Sequence, residues 1–155
     1  LVSGIERFGG FADSLAAGGV AVDPQLVVLG DYDDRTGRAA IEQLMAIDEP
    51  PTAIFATADM LARGILRGCR ALGIVVPDDI SLVSFDDIPL FRLYEVGITA
   101  VAQPIAKIAE TLASLVSSRL SPRGAAHAPH TIMLDCDIIL RGSARQYVPP
   151  VTARK

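Results

Sequence analysis

The sequence predicts an α/β domain: a parallel sheet with helices packed against it. Three observations carry that prediction. Short apolar runs at Gln25–Leu29, Ala53–Ala56, Ile80–Phe85 and Ile98–Val101 have the length and composition of strands buried in a parallel sheet. The intervals between them show helical spacing of apolar residues, bounded by glycine and proline. These connections are too long for hairpins, so they read as β-α-β crossovers.

Ser3-Gly4-Ile5-Glu6 fits a capping box, in which the serine oxygen accepts from a first-turn amide and the glutamate reaches back. A helix is expected from there to about Ala17, with Phe8, Phe11, Ala12 and Leu15 on one face and Gly18-Gly19 as its stop. Pro24 precedes the first short strand, Gln25–Leu29, which ends at Gly30-Asp31-Tyr32. A second helix runs from about Asp34 to Ile47, burying Ala40, Ile41, Leu44 and Met45, and Pro50-Pro51 ends it. After the strand Ala53–Ala56, Asp59 is placed to cap a third helix, Met60–Leu72, whose stripe is Leu61, Ile65, Cys69 and Leu72. Gly73 closes that helix, because glycine takes the left-handed conformation without a Cβ clash.

Val76-Pro77-Asp78-Asp79 turns the chain into Ile80–Phe85, and the carboxylate pair Asp86-Asp87 stands at that strand's carboxyl end. Ligands of open α/β sheets bind at that end of the strands. Pro89 to Gly97 reads as irregular and Ile98–Val101 as a further strand. Beyond Pro104 a helix sets Ile105, Ile108, Ala109, Leu112, Leu115 and Val116 on one face, against Lys107, Glu110, Ser114 and Ser117. Ser121 to Pro129 has loop composition, Thr131 to Leu140 suits one or two strands, and the tail from Gln146 is expected to fray.

The totals bound the function. A chain of 155 residues holds one domain's core, and 50% hydrophobic with 21% charged residues is a folded balance. A net charge of −4 argues against a large phosphate-binding face. No apolar run approaches the roughly 20 residues of a membrane-spanning helix, and no export signal is visible. Cys69 and Cys136 sit in apolar patterns and read as reduced core thiols, which favours a cytoplasmic setting.

The stretch P-D-D-I-S-L-V-S-F-D-D-I from Pro77 to Ile88 resembles the signature of the lac-repressor (LacI/GalR) family of transcriptional regulators. Further matches follow that family's order: R-F-G-G-F at Arg7 to Phe11, G-D-Y at Gly30 to Tyr32, P-T-A-I-F-A-T-A-D-M-L-A-R-G from Pro51 to Gly64, I-T-A-V-A-Q-P from Ile98 to Pro104, and I-L-R-G-S from Ile139 to Ser143. The resemblance covers nearly the whole chain. It implies a fold of the periplasmic-binding-protein-like type I, of which residues 1–102 form the C-terminal effector-binding subdomain. Residues 103–130 would then be a crossover and helix belonging to an N-terminal subdomain, and residues 131–155 the return strand or strands and tail.

The resemblance also implies what lies elsewhere. DNA binding would belong to an upstream helix-turn-helix that these residues do not contain, so the chain is expected to be part of a longer regulator. The sheet is then expected to have an open position between Gln25–Leu29 and Ala53–Ala56, and the late helix to lack its usual packing partner. A homodimer is expected through the helix Met60–Leu72 and the loop Leu90–Tyr94, with Phe91-Arg92-Leu93-Tyr94 as an exposed patch.

Ligand contacts are carried over position by position. Arg7 resembles the family's ligand-gripping arginine, with a planar fork suited to a carboxylate or vicinal hydroxyls; on spacing alone it is a solvated helix residue. Tyr32 matches an aromatic that stacks on a ligand ring, against the plain reading of local packing. Asp86 matches the carboxylate that accepts from ligand hydroxyls, against a turn-capping aspartate. Gln103 matches a polar position lining the cleft, and Ser3 a contact position one turn before Arg7. Ala58 departs from the pattern, since the family usually has a ligand-contacting asparagine there; Ser84 replaces a usual glycine.

The implied ligand is a small effector, sugar-like or related, with no cofactor and no metal. A solute-binding protein of a sugar transporter shares the architecture and is the main alternative. Enzymatic readings are weaker. Asp135-Cys136-Asp137 lacks the hydroxyl that a phosphotransfer D-x-D motif wants after it, and His127 and His130 have no third metal ligand nearby. No phosphate-cradling glycine loop or nucleophile-base pairing is present, so no enzyme activity is expected.

Overall fold

The computed structural model describes residues 2–120 and 131–146. The expected loop at Ser121–Pro129, the pair His127 and His130, and the tail beyond Gln146 lie outside the described residues. The elements are α1 (Val2–Ala17), α2 (Asp34–Leu44), β1 (Ala53–Ala56), α3 (Asp59–Leu72), β2 (Ser81–Phe85), α4 (Pro89–Arg92), β3 (Thr99–Ala102), α5 (Ile105–Leu120) and β4 (Asp137–Ile139). The sheet has the order β1-β2-β3-β4; the first two pairings are parallel and the last is antiparallel.

Side-chain alternation divides the sheet into two faces. Ile54, Ala56, Leu82 and Ala100 pack into the core beneath α3, together with Ile41 of α2, Ile65 and Cys69 of α3, Ile80, Phe91 and Ile98. The opposite face carries Phe55 and Phe85, both only half-buried. There α1 lies against it: Phe11 stacks on Phe55 at 5.7 Å between ring centroids. None of the residues of α1 or of α5 is buried, and Ile5, Ile105, Leu112, Val116 and Leu120 remain exposed.

Two helices cross closely because glycine removes the side chains between them. A Cβ on Gly37 of α2 would stand 2.2 Å from the Leu61 carbonyl oxygen, and one on Gly64 of α3 would stand 2.2 Å from that of Asp34. The polar edge of the crossing is Asp34, which pairs with Arg67 at 2.7 Å and Arg63 at 3.3 Å.

Several sequence expectations need correction. Gln25–Leu29 is not a strand. Asp23 accepts from the Gln25 amide and starts a single 3-10 turn over Pro24–Leu26, after which the chain is irregular. The local turn wins because residues 27–29 have no ladder partner, and β1 is therefore an edge of the sheet among the described residues. Ser3 does not cap α1, since the helix already includes Val2. Asp59 is the first residue of α3, with Ala58 at the cap and making no side-chain bond. The second helix ends at Leu44, short of Ile47, and Asp33 caps its start by accepting from the Thr36 amide. The region after Asp87 holds the short helix α4, and Phe91 is not exposed: at 1% accessibility it is a core residue. Gly73 does close α3 in the left-handed conformation, at φ 72°.

Both cysteines are free, but only Cys69 lies in the core; Cys136 is exposed, contrary to the expectation for both. Burial pushes the Cys69 thiol up to about 11. A thiol-specific chromophoric reagent at pH 8 is therefore expected to titrate Cys136 in the native protein and Cys69 only after denaturation. Two rapidly reacting thiols in the native state would contradict this packing.

Candidate functional site

The carboxylate pair at the end of β2 splits in opposite directions. Asp86 has φ 72°, a left-handed conformation that aspartate tolerates better than most residues. Its backbone N–H donates to the Val101 carbonyl at 2.9 Å, which keeps it joined to β3. Its side chain meets Gln103, whose Nε2 donates to Asp86 Oδ1 at 2.5 Å, and Arg7, whose Nη1 lies 3.9 Å from Asp86 Oδ2.

Asp87 turns the other way. It receives both guanidinium nitrogens of Arg141, at 2.7 and 2.9 Å, and lies 3.4 Å from Arg92. The Arg141 hydrogen bonds hold its carboxyl below the usual carboxylate range. Arg141 also donates to the Ile98 carbonyl, and two residues on, Ser143 is fully buried, donating to Leu82 O and accepting from Thr99 N. The I-L-R-G-S stretch is thus a structural clamp on β2 and β3. Because a depressed carboxyl favours the folded state above its unfolded value, the clamp's contribution is present at neutral pH and lost as pH falls below about 4. The melting temperature of an Asp87→Asn variant is accordingly expected to lie well below wild type at pH 7 and to approach it progressively as pH falls below about 4; a constant gap would refute the linkage.

Arg7 is fixed by the second face of the sheet. It projects from the second turn of α1, its Nη1 donates to the Thr57 carbonyl at 2.7 Å, and its guanidinium carbon lies 3.7 Å over the Phe85 ring. Such cation–π seating holds the planar fork while leaving donors for another partner. The side chain is 18% exposed and that of Asp86 28%, so both border solvent.

Arg7, Asp86 and Gln103 are therefore brought together. Tyr32 is half-buried beside α1: its hydroxyl lies where a Cβ on Gly4 would be 2.5 Å away, and that buried oxygen has no hydrogen-bond partner. Gly4 lies one turn before Arg7 in α1, and no hydrogen bond joins Tyr32 to Arg7 or Asp86 among the described residues. Ser3 is exposed in the first turn of α1. Thr57 and Phe85 escaped the sequence reading, although the alternation of β2 could have marked Phe85 as facing away from Leu82.

A depression of about 290 Å³ is lined by Asp86 and Gln103 of the trio, together with Asp59, Asp87, Ile88, Ala102 and Ile105, and Arg7 is not among its lining residues. A hollow of about 350 Å³ runs along α5 by Lys107, Glu110 and Leu115, but it touches none of the trio. The arrangement offers one cationic donor and one anionic acceptor too far apart to hydrogen-bond each other. No cluster of three His, Cys, Asp or Glu side chains suited to a metal occurs among the described residues.

The periplasmic binding protein-like domain pattern matches residues 2–144. The chain belongs to that family. Within it, the chain is similar to part of LacI-type transcriptional regulators. It is 33% identical over 139 residues to the HTH-type transcriptional repressor CytR of Escherichia coli (strain K12), covering 90% of this chain and 40% of that one. The structure of a transcriptional regulator CelR–cellobiose complex superposes with a TM-score of 0.82 at 31% identity, over 91% of this chain and 42% of the other. That of a LacI family regulator from Enterococcus faecium with bound ribose gives 0.78 at 26% identity, over 88% and 49%. The chain thus spans about 40 to 50% of the length of these relatives. All three are named as transcriptional repressors or regulators.

Proposed function

We propose that this LacI-type domain is the effector-binding and dimerisation portion of a regulator that takes a small hydroxylated molecule between Arg7 and Asp86. The observation that carries the reading is the 3.9 Å separation of Arg7 Nη1 and Asp86 Oδ2. A hydroxyl placed there accepts from the guanidinium and donates to the carboxylate, completing two charge-assisted hydrogen bonds. Tyr32, Gln103 and Ser3 complete the proposed ligand wall, with Ala58 leaving one side without an amide. The relatives that carry cellobiose and ribose favour a sugar-like effector.

Residues 103–130 are assigned to a second subdomain across the cleft, and the uncovered α5 supports this. Effector binding would favour one closure angle and so reposition an upstream helix-turn-helix in a cytoplasmic homodimer. The test is a melting screen of the full-length protein with sugars, nucleobases and small acids. A ligand-dependent rise that Arg7→Ala abolishes is expected; no rise with any class, or one that survives that substitution, overturns the reading.

For the dimer, Leu72 at the end of α3, Val75 just beyond it, and Leu90 and Leu93 at α4 are exposed apolar side chains. Their apolar character suits an interface core. Light scattering is expected to show a dimer that Leu93→Asp shifts toward monomer, and an unchanged mass would exclude this face.

A further inference from the structure

Asp86 is attached twice to the segment by which the chain leaves the sheet. Its backbone N–H bonds to Val101, and its Oδ1 accepts from Gln103. Gln103 is tied in turn to the start of α5, because its carbonyl accepts from the Ile105 amide at 2.9 Å and the next carbonyl, Pro104, accepts from Ile108 at 2.9 Å. The backbone before a proline is restricted to extended conformations, so Gln103 has little freedom to absorb a displacement of its side chain.

The two carboxylate oxygens of Asp86 consequently differ. Oδ1 is occupied by the amide, whereas Oδ2 faces Arg7 without reaching hydrogen-bond distance. We propose that Gln103 is a positioning residue, which presents Oδ2 of Asp86 to the ligand and ties the placement of that carboxylate to the first turn of α5. This rests on the effector-site reading above and adds the route by which occupancy of the site is felt beyond it. A ligand hydroxyl that draws Oδ2 toward Arg7 pulls on the Gln103 amide, and the pull passes through Gln103-Pro104 to the helix. The side chain must be a neutral donor. A glutamate of the same length places two carboxylates at hydrogen-bond distance, where they bond only by sharing a proton.

Amide hydrogen exchange in the full-length protein tests this without requiring a known ligand. In Gln103→Leu, exchange at the Ile105 and Ile108 amides is expected to rise about tenfold, the scale of a modest local opening. Asp86→Gly, which removes the carboxylate and takes φ 72° without a Cβ penalty, should do the same, and the double variant should add nothing to either, since all three break the same side-chain bond. In Gln103→Glu, after correction for intrinsic exchange, protection should be lost at pH 8 and recovered toward about pH 5 as the paired carboxylates take up a proton. Wild type should lack that pH dependence. A structural role for the side chain alone would not produce acid rescue.

Additive effects of the two single substitutions, or a Gln103→Glu profile that follows wild type, overturn the inference and leave the ligand reading standing. The reverse pattern separates the two claims: acid rescue at Ile105 together with no melting shift from any sugar, nucleobase or small acid supports the coupling and removes the ligand assignment.

Discussion

Replacing Gly64 by alanine is expected to lower the stability of this domain more than any other single methyl addition along α3. The added carbon would stand 2.2 Å from the Asp34 carbonyl oxygen, 2.9 Å from the Arg38 nitrogen and 2.9 Å from the Asp34 carbonyl carbon, all of them backbone atoms of α2. No rotamer change relieves such a contact, so the helices must separate along a crossing that buries Ile41, Ile65 and Cys69. Alanine favours a helix over glycine by about 1 kcal/mol, which opposes the effect. Overpacking that displaces backbone lies at or above the upper end of roughly 1–3 kcal/mol. The net loss is therefore about 2 kcal/mol or more, a fall in melting temperature on the order of 5 to 10 °C for a chain of this size. Gly37→Ala should match it, because its Cβ meets the Leu61 carbonyl at the same 2.2 Å. Gly68→Ala should cost less, since the nearest atom is the Ile41 Cγ2 methyl, which can move. Gly10→Ala is the control: nothing lies within 4 Å of its Cβ, so thermal melting should show no loss. A Gly64→Ala protein that melts with wild type would show that the two helices are not in close contact.

That crossing also marks where the sequence was legible and where it was not. Periodicity located α1, α3 and α5, and the apolar runs located β1, β2 and β3, because each signal reports burial that the local chain itself undergoes. It failed at Gln25–Leu29, where the composition suits a strand but pairing requires a neighbour that the described residues do not supply. The irregular reading of Pro89 to Gly97 missed that Phe91 is the largest fully buried side chain among the described residues. Burial there comes from long-range packing, which leaves no periodic trace in so short a segment. Asp86 and Asp87 are adjacent and chemically identical in the sequence, and only the left-handed backbone at Asp86 sends one to Arg7 and the other to Arg141. The resemblance named Arg7, Asp86 and Gln103, and the fold brings these three within reach of one another. Thr57 and Phe85, which hold Arg7 in place, act through a carbonyl and a ring face, neither of which a residue-type motif records.

The second large effect is expected at Arg7 and Asp86, measured as binding of whichever sugar, nucleobase or acid raises the melting temperature of the full-length protein. Asp86→Asn is the sharper substitution of the two available at that position. Asparagine keeps an acceptor for Gln103 and tolerates φ 72°, so the change removes charge with little effect on the backbone. Alanine there would add a conformational penalty of about 1 kcal/mol and confuse stability with affinity. A hydrogen bond to a charged group contributes about 1.5–3 kcal/mol, so Asp86→Asn is expected to weaken binding roughly 10- to 150-fold. Arg7→Lys tests the other partner, because lysine keeps the charge but cannot offer a planar fork while seated on Phe85 and bonded to Thr57. It should lose nearly as much affinity as Arg7→Ala, whereas a ligand held by charge alone would leave Arg7→Lys close to wild type. If one hydroxyl bridges the two side chains, the losses should also be coupled: Arg7→Ala with Asp86→Asn should bind no more weakly than about the worse single variant. Independent, multiplying losses would mean that the two residues serve separate parts of the ligand, and the bridge across their 3.9 Å gap would be wrong.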